Sequence, residues 1–190
     1  MIAKAELIRK HLAGLHVLDL GGSGYGGDNA YEQELQEAWS LCKKRTCVDC
    51  RSDAEVPMDF NRLPLPAIEG SYDMATAFDV LEHLEHPVDV LRWIPAKRLI
   101  VTLPNALSCI ARRMEQTNGS KHLYSFTAYT ASILMGEGGW EVREIEYQFG
   151  KWSMLARLLN LVGSICPSRV GTGLVLHCER TGRGAAWKLR

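Results

Sequence analysis

The sequence predicts a single α/β domain, built on a mostly parallel sheet with helices on its faces. Short apolar strand patterns alternate with helical patterns along the chain, which is typical of units that build a parallel sheet. The strand pattern VLDL, Val17–Leu20, stops abruptly in the glycine-rich turn GGSGYGG, Gly21–Gly27. The length of 190 residues suits one domain, 1–190, with a substantial core.

Local periodicity and turn residues place the individual elements. Helical spacing of apolar residues, or a short turn signal, predicts helices over residues 1–14, Ala30–Leu41, Asp79–Leu84, Val88–Trp93, Asn105–Lys121 and Thr127–Gly136. Apolar runs that end at Gly, Pro or Asp predict strands over Val17–Leu20, Thr46–Val48, Val56–Phe60, Tyr72–Phe78, Arg98–Leu103, Trp140–Tyr147 and Gly173–Arg180. Ser125 or Thr127 is expected to cap the helix predicted over Thr127–Gly136.

Composition narrows the class of protein. The formal net charge is zero, so nucleic acid is not expected as the main partner. The N-terminal segment reads as an amphipathic helix rather than a signal peptide, and no apolar run reaches the ~20 residues of a membrane span. The 6 cysteines are expected to be reduced thiols in a cytoplasmic protein. Cys47 and Cys50 have metal-like spacing, but without a second ligand pair no metal site is expected.

Three carboxylates near predicted strand ends indicate which kind of ligand the glycine turn could bind. Asp19 could orient the turn and accept hydrogen bonds near a cationic amino-acid end of a ligand, or it could cap backbone amides. Asp49, which ends the next strand, could grip ribose hydroxyls, or it could be a solvated turn residue. Asp59 could accept an adenine amino group while Met58 and Phe60 pack against the base.

Taken together, five segments resemble the class I S-adenosylmethionine-dependent methyltransferases: VLDLGGSGYGG, CVDC, PMDFNRLPLP, SYDMATAFDVLEHLEHP and RLIVTLPN. The resemblance is strongest to the small branch related to ubiquinone-type and glycan-cluster methyltransferases, and it covers roughly residues 15–180. The segments HLYSFT and GGWEV resemble that branch's C-terminal half. Ser23 and Tyr25 stand where the family's turn usually has glycine, so contacts are assigned to the turn as a whole.

The resemblance implies a Rossmann-like methyltransferase fold with a seven-stranded sheet, and methyl transfer from S-adenosylmethionine that leaves S-adenosylhomocysteine. The implied cofactor-binding residues are Asp19, Gly21, Gly22, Ser23, Gly24, Tyr25, Asp49, Cys50, Asp59, Phe60, Phe78, Asp79 and His83. His83 and His122 are candidate general bases, and His122 with Tyr124 is expected to contact the substrate. Each histidine could instead be packed or hydrogen-bonded for structure.

The expected acceptor is an oxygen or nitrogen of a small molecule, a sugar or a lipid-linked intermediate. Segments 104–136 and 148–172 are expected to cover the substrate side, and the tail 181–190 is expected to be flexible. Within Lys151–Val170, an apolar stripe predicts a helix that packs on this sheet or on a second subunit, or a lid that touches a lipid-linked substrate or a membrane surface. Two rival functions are a binding module without turnover and a nicotinamide-dependent oxidoreductase.

Overall fold

The computed structural model describes residues 4–23, 29–108, 122–148 and 167–181. Its helices are α1 Lys4–His11, α2 Ala30–Trp39, a 3-10 helix at Leu81–His83, α3 Pro87–Trp93, α4 Ala128–Glu137 and α5 Pro167–Val170. Its strands are β1 His16–Leu20, β2 Lys44–Asp49, β3 Val56–Pro57, β4 Met74–Phe78, β5 Arg98–Pro104, β6 Trp140–Gln148 and β7 Gly173–Arg180. No described helix is long and apolar enough to cross a membrane.

The strands form one seven-stranded sheet in the order β3-β2-β1-β4-β5-β7-β6. β1 pairs in parallel with both β2 and β4, while β7 runs antiparallel to its neighbours β5 and β6. The chain therefore moves outward from β1 first in one direction and then, after β3, in the other. Ligands in such sheets bind outside the carboxyl ends of the strands at this reversal point. The predicted Rossmann-like α/β fold with seven, mostly parallel strands is confirmed.

Two apolar layers cover the sheet because successive strand residues point to opposite faces. On one face, α1 and α2 bury residues such as Leu7 and Leu35 against Val17. On the other face, α3 and α4 bury Leu91 and Met135 with the interior of β4 and β5. A continuous sheet buried on both sides gives the carboxyl edge a rigid support.

Several predicted elements differ in extent from those observed. Only the start of Val56–Phe60 is a strand, and Tyr72 makes an isolated bridge to Ala96 ahead of β4. Thr127, not Ser125, caps α4, through a capping box with Thr130. The cap explains why the helix begins after Thr127.

Two predicted segments fall partly outside the described residues. Of the helix predicted at Asn105–Lys121, the structure describes a turn that follows β5 at Asn105, and residues 109–121 lie outside the described part. The predicted stripe at Lys151–Val170 is described only from Pro167 onward, where a short helix forms. Its proposed lid or subunit contact therefore stays a prediction.

Candidate active site

A cleft of about 250 Å³ lies at the carboxyl ends of β1, β2 and β4. Seven of the predicted cofactor residues line it: Gly21, Asp49, Cys50, Asp59, Phe60, Asp79 and His83. Asn61, Val80 and Leu84 complete the lining, and sequence reasoning missed them. The cleft coincides with the reversal point of the sheet, which is where ligands generally bind in open α/β sheets.

Gly21 begins the turn that follows β1. Its φ of +71° lies in the left-handed region, and its amide donates a hydrogen bond of 2.8 Å to the Val48 carbonyl of β2. A Cβ on this residue would lie 2.5 Å from Cγ2 of Val80, which also lines the cleft. Both the backbone conformation and the contact with Val80 therefore favour glycine here.

Gly21→Ala is expected to destabilise the protein more than Gly14→Ala, which makes a matched control. Gly14 has a similar φ of +74°, but a Cβ there would meet nothing within 4 Å. The left-handed backbone alone costs alanine about 1–2 kcal/mol. The collision with Val80 should add about 1–3 kcal/mol in the Gly21 variant. Urea denaturation measures both; equal losses of free energy of unfolding would show that the contact with Val80 does not matter.

Asp19 lies under the turn rather than in the cleft. Its side chain is 1% exposed, and Thr76 of β4 donates a hydrogen bond of 2.6 Å to Oδ1. Arg45 of β2 donates to Oδ2 from Nε at 2.9 Å and from Nη2 at 2.5 Å. Burial raises the pKa of the Asp19 carboxyl, while Arg45 and Thr76 act in the opposite direction.

Arg45 connects Asp19 to the turn. Its Nη2 also donates 2.6 Å to the Gly22 carbonyl, and its guanidinium stacks 4.3 Å above the Trp39 ring. A Cβ on Gly22 would lie 1.8 Å from Asp19 Oδ2, so only glycine fits over this ion pair. In the described part of the chain, the donors to Asp19 are side chains, and Asp19 orients the turn through Arg45. Its contact with a ligand stays a prediction.

Asp49 ends β2 and faces the cleft. Oδ2 accepts a hydrogen bond of 3.1 Å from the Ser23 amide, and Oδ1 accepts one of 3.2 Å from the Arg51 amide. Burial alone would raise the pKa of this carboxyl, but the hydrogen bonds from Ser23 and Arg51 outweigh it and hold the pKa below its usual range. Asp49 is thus an ionised acceptor, and Ser23 joins the site by positioning it.

Cys50 and Asp59 both line the first cleft. Burial, followed by the neighbouring Asp49 carboxylate, raises the pKa of the Cys50 thiol, which is therefore protonated at neutral pH. Asp59 accepts a hydrogen bond of 3.0 Å from the Asn61 amide and makes a 3.2 Å ion pair with the exposed Arg62. It remains partly accessible from the cleft.

Phe60 and Met58 follow the short strand β3 but occupy different places. Phe60 lines the cleft, and its ring lies edge-on to Trp93 with centroids 6.1 Å apart. Met58 is buried in the core, where its amide donates 2.8 Å to the Asp49 carbonyl. Of the predicted Met58–Phe60 pair, Phe60 thus lines the cleft and Met58 does not.

Asp79 follows β4 with a φ of +56°, which is unusual for a residue other than glycine. Thr102 of β5 donates 2.8 Å to Oδ1, and Lys4 of α1 makes a 2.8 Å ion pair with Oδ2. These contacts hold the strained residue in place. Strain of this kind is often found at functional sites.

Phe78 is placed differently from the sequence expectation. It is buried on the opposite face of the sheet, with its ring 6.3 Å from that of Trp39. Side chains alternate along a strand, so Ala77 and Phe78 point to opposite faces. The turn after Phe78, not Phe78 itself, forms the cleft wall. Gly24 and Tyr25 lie outside the described residues.

A second cleft of about 300 Å³ adjoins the first and shares Asp79 and His83 with it. Its lining is Asp79, Glu82, His83, Leu103, Pro104, His122, Gln148, Thr172 and Gly173. The rings of His83 and His122 stand edge-on with centroids 4.8 Å apart. The segments predicted to lie on the substrate side, 104–136 and 148–172, both contribute to this lining.

Tyr124 supports the second cleft from outside. Its hydroxyl donates 3.1 Å to the Glu85 carbonyl, and the amides of Leu123 and Tyr124 both point at the Glu82 carbonyl. Tyr124 does not line the described cleft, because these contacts turn it toward the chain after the 3-10 helix. It anchors the segment that carries His122.

Glu82, His83 and His122 each offer a ligand atom within 4.8 Å of the others. Two imidazoles and a carboxylate form a set that zinc-like ions accept. Sequence reasoning, which expected no metal site, missed Glu82. An acid directly before a predicted catalytic histidine in the sequence is the signal that could have found it.

No protein-family model matches the sequence, and no curated protein matches it at the sequence level. Solved structures match the fold. An S-adenosylmethionine-dependent methyltransferase from Mesorhizobium loti matches with a TM-score of 0.59 at 14% identity, covering 93% of this chain and 95% of that one. Another, from Archaeoglobus fulgidus, matches with a TM-score of 0.55 at 13% identity, covering 94% and 91%. The cyclase SpnF matches with a TM-score of 0.59 at 15% identity, covering 93% and 79%.

These similarities show that this chain has the fold of the class I S-adenosylmethionine-dependent methyltransferases. The family resemblance of the sequence segments is thereby confirmed as a likeness of fold. Since a cyclase shares this fold, the reaction has to be argued from the residues of the site.

Proposed function

We propose that this protein binds S-adenosylmethionine in the first cleft and transfers its methyl group to an oxygen or nitrogen of an acceptor in the second. The observation that carries the proposal is the pair of adjoining clefts, which share Asp79 and His83. Methyl transfer is an in-line displacement, so donor and acceptor must meet across a short distance. Two clefts with a common wall suit that requirement.

The cofactor orientation follows from the donors and acceptors of the first cleft. Asp49 can accept ribose hydroxyls, because an ionised carboxylate offers about four acceptor sites and the Ser23 and Arg51 amides use one on each oxygen. Asp59 and Phe60 offer a polar edge and an apolar wall to the adenine. The methionine end then lies near Gly21 and Asp79, at the boundary with the second cleft.

His83 and His122 are placed to accept a proton from the acceptor. His83 lines both clefts, and His122 lines the second. A neutral imidazole within hydrogen-bond reach of an attacking hydroxyl or amine is a suitable general base. The cofactor supplies the reactive methyl group, and these residues orient the acceptor and remove its proton.

The acceptor is proposed to be a small molecule, a sugar or a lipid-linked intermediate. The second cleft has a volume of about 300 Å³, which is at the lower end of small-molecule sites. Its lining combines apolar Leu103 and Pro104 with the polar side chains of Gln148 and Thr172. Such a mixture suits a compact hydroxyl- or amine-bearing group.

Calorimetric titration of the full chain with S-adenosylmethionine, S-adenosylhomocysteine and NADH tests the cofactor assignment. We expect both adenosyl ligands to bind to one site and to compete with each other, and NADH to give no binding heat. Saturable binding of NADH without adenosyl binding would instead indicate an oxidoreductase. If none of the three ligands binds, the chain is better explained as a module without turnover. Formation of S-adenosylhomocysteine with hydroxyl- and amine-bearing acceptors then tests transfer itself.

A further inference from the structure

A second cluster of metal-ligating side chains lies outside both clefts, where the C-terminal end of α1 packs over β6 and β7. His11, Glu146 and His177 each offer a ligand atom within 4.8 Å of the others. Nε2 of His177 lies 3.3 Å from Oε1 of Glu146, and the two imidazole centroids are 4.8 Å apart. Three separate elements thus present nitrogen, nitrogen and oxygen to one point.

Two imidazole nitrogens of this cluster are buried without a hydrogen bond, Nε2 of His11 and Nε2 of His177. Among the described residues, His177 Nε2 has the Glu146 carboxylate at 3.3 Å but not in hydrogen-bond geometry, and His11 Nε2 has no hydrogen-bond partner. Such an unsatisfied polar atom costs about 1–3 kcal/mol when it is buried. A bound cation between the rings would satisfy both nitrogens at once.

The local charge also favours a cation. The carboxylates of Glu144 and Glu146 both interact electrostatically with His11. In the described part of the chain, the one lysine or arginine that acts on His11 is Lys10, whose Nζ lies 4.0 Å from Oε1 of Glu146. Two carboxylates against one ammonium leave the cluster net negative.

We infer that His11, Glu146 and His177 bind a divalent transition-metal ion of the zinc type. Two imidazoles and one carboxylate are a ligand set for zinc and its neighbours, whereas magnesium and calcium require mainly oxygen. The ligands come from α1, β6 and β7, so the ion joins the first helix to the last two strands of the sheet. Closing so long a stretch of chain stabilises the fold.

The ion would also hold the helix that reaches the active site. Lys4, at the other end of α1, forms the ion pair with Asp79 in the wall shared by both clefts. The eight residues of α1 separate the two contacts by about 10 Å. The metal site is therefore structural and lies apart from the proposed transfer chemistry.

The test uses the full chain after dialysis against EDTA, with zinc chloride and cobalt chloride as probes. Zinc at about 100 times its dissociation constant is expected to raise the Tm by roughly 5–10 °C. Cobalt should give the intense visible absorption of a tetrahedral site. His177→Asn and His11→Asn should each weaken metal binding by at least about 100-fold, since loss of even an indirect partner costs 10–100-fold.

Two controls separate this site from other histidines. His86→Asn removes an exposed histidine and should leave zinc binding unchanged. The double variant His83→Asn, His122→Asn removes the candidate ligands of the second cleft and should leave a zinc-dependent rise in Tm. Glu146→Gln keeps the shape of the cluster and should weaken zinc binding even if the histidine variants fold poorly. The proposal is wrong if zinc binds equally to wild type and Glu146→Gln, if it is lost only in the double variant, or if wild type binds neither metal.

Discussion

Replacing Arg45 by methionine is expected to lower the free energy of unfolding by about 3–5 kcal/mol, because the change leaves a buried carboxylate without its counter-ion. Asp19 is 1% exposed, and Arg45 supplies its only cationic hydrogen-bond donor among the described residues. Thr76 would remain as a neutral donor. Methionine keeps much of the aliphatic volume against Trp39, so the lost charge pair dominates the effect.

Urea denaturation of Arg45→Met measures this loss, with Arg143→Met as the matched control. Arg143 also pairs with carboxylates, those of Glu141 and Glu179, but on the exposed outer strand β6. Exposed ion pairs contribute little, so the control should unfold almost as the wild type does. Combining Arg45→Met with Asp19→Leu removes both charges and should recover part of the loss. Equal stability of the two single variants would show that the Asp19–Arg45 pair does not support the turn.

The same pair shows what sequence reasoning could and could not provide. Asp19 could be recognised in the sequence because an acid inside an apolar strand is rare and needs a hydrogen-bonding or cationic partner. Arg45 was missed because the partner comes from the neighbouring strand, where the register places Val17 opposite Arg45. A search for a cation on the strands next to β1 would have found it, once their order was known. Thr76 lies directly opposite Asp19 for the same reason.

The position of the first cleft was largely predictable, because parallel strands bring their carboxyl ends to one edge of the sheet. Gly21, Asp49 and Asp79 each follow a strand, so strand prediction alone placed them together. The prediction for Phe78 was wrong because Phe78 is the last residue of β4. Its side chain points to the sheet face that is covered by α1 and α2. A one-residue difference at a strand end is enough to move a side chain from the site into the core.

The second cleft and the metal cluster depend on tertiary packing that no local pattern encodes. Glu82 and Gln148 are 66 positions apart in the sequence, yet both line one cleft. His11, Glu146 and His177 carry no motif spacing, and only the packing of α1 across β6 and β7 joins them. Sequence patterns therefore predicted residues that line the first cleft, but not the contacts between residues that are distant in the sequence.

Asp49→Ala is expected to weaken binding of S-adenosylmethionine by about 100-fold or more. A hydrogen bond to a charged group contributes about 1.5–3 kcal/mol, and the carboxylate is proposed to accept two from the ribose. Even the lower value for each bond sums to about 3 kcal/mol, which corresponds to roughly 100-fold in dissociation constant. Asp49→Asn keeps one carbonyl oxygen and should lose less than the alanine variant.

Calorimetric titration with S-adenosylmethionine measures the dissociation constants of the wild type, Asp49→Ala and Asp49→Asn. The variant Asp53→Ala is the matched control. Asp53 lies four residues away in the same loop and is exposed, where it pairs with Arg51. Its removal should leave cofactor binding unchanged, because it does not line the cleft. Asp49 also accepts the Ser23 and Arg51 amides, so circular dichroism and urea denaturation must show that Asp49→Ala remains folded. A folded Asp49→Ala variant that binds as tightly as wild type would place the ribose elsewhere and remove the basis for the proposed orientation.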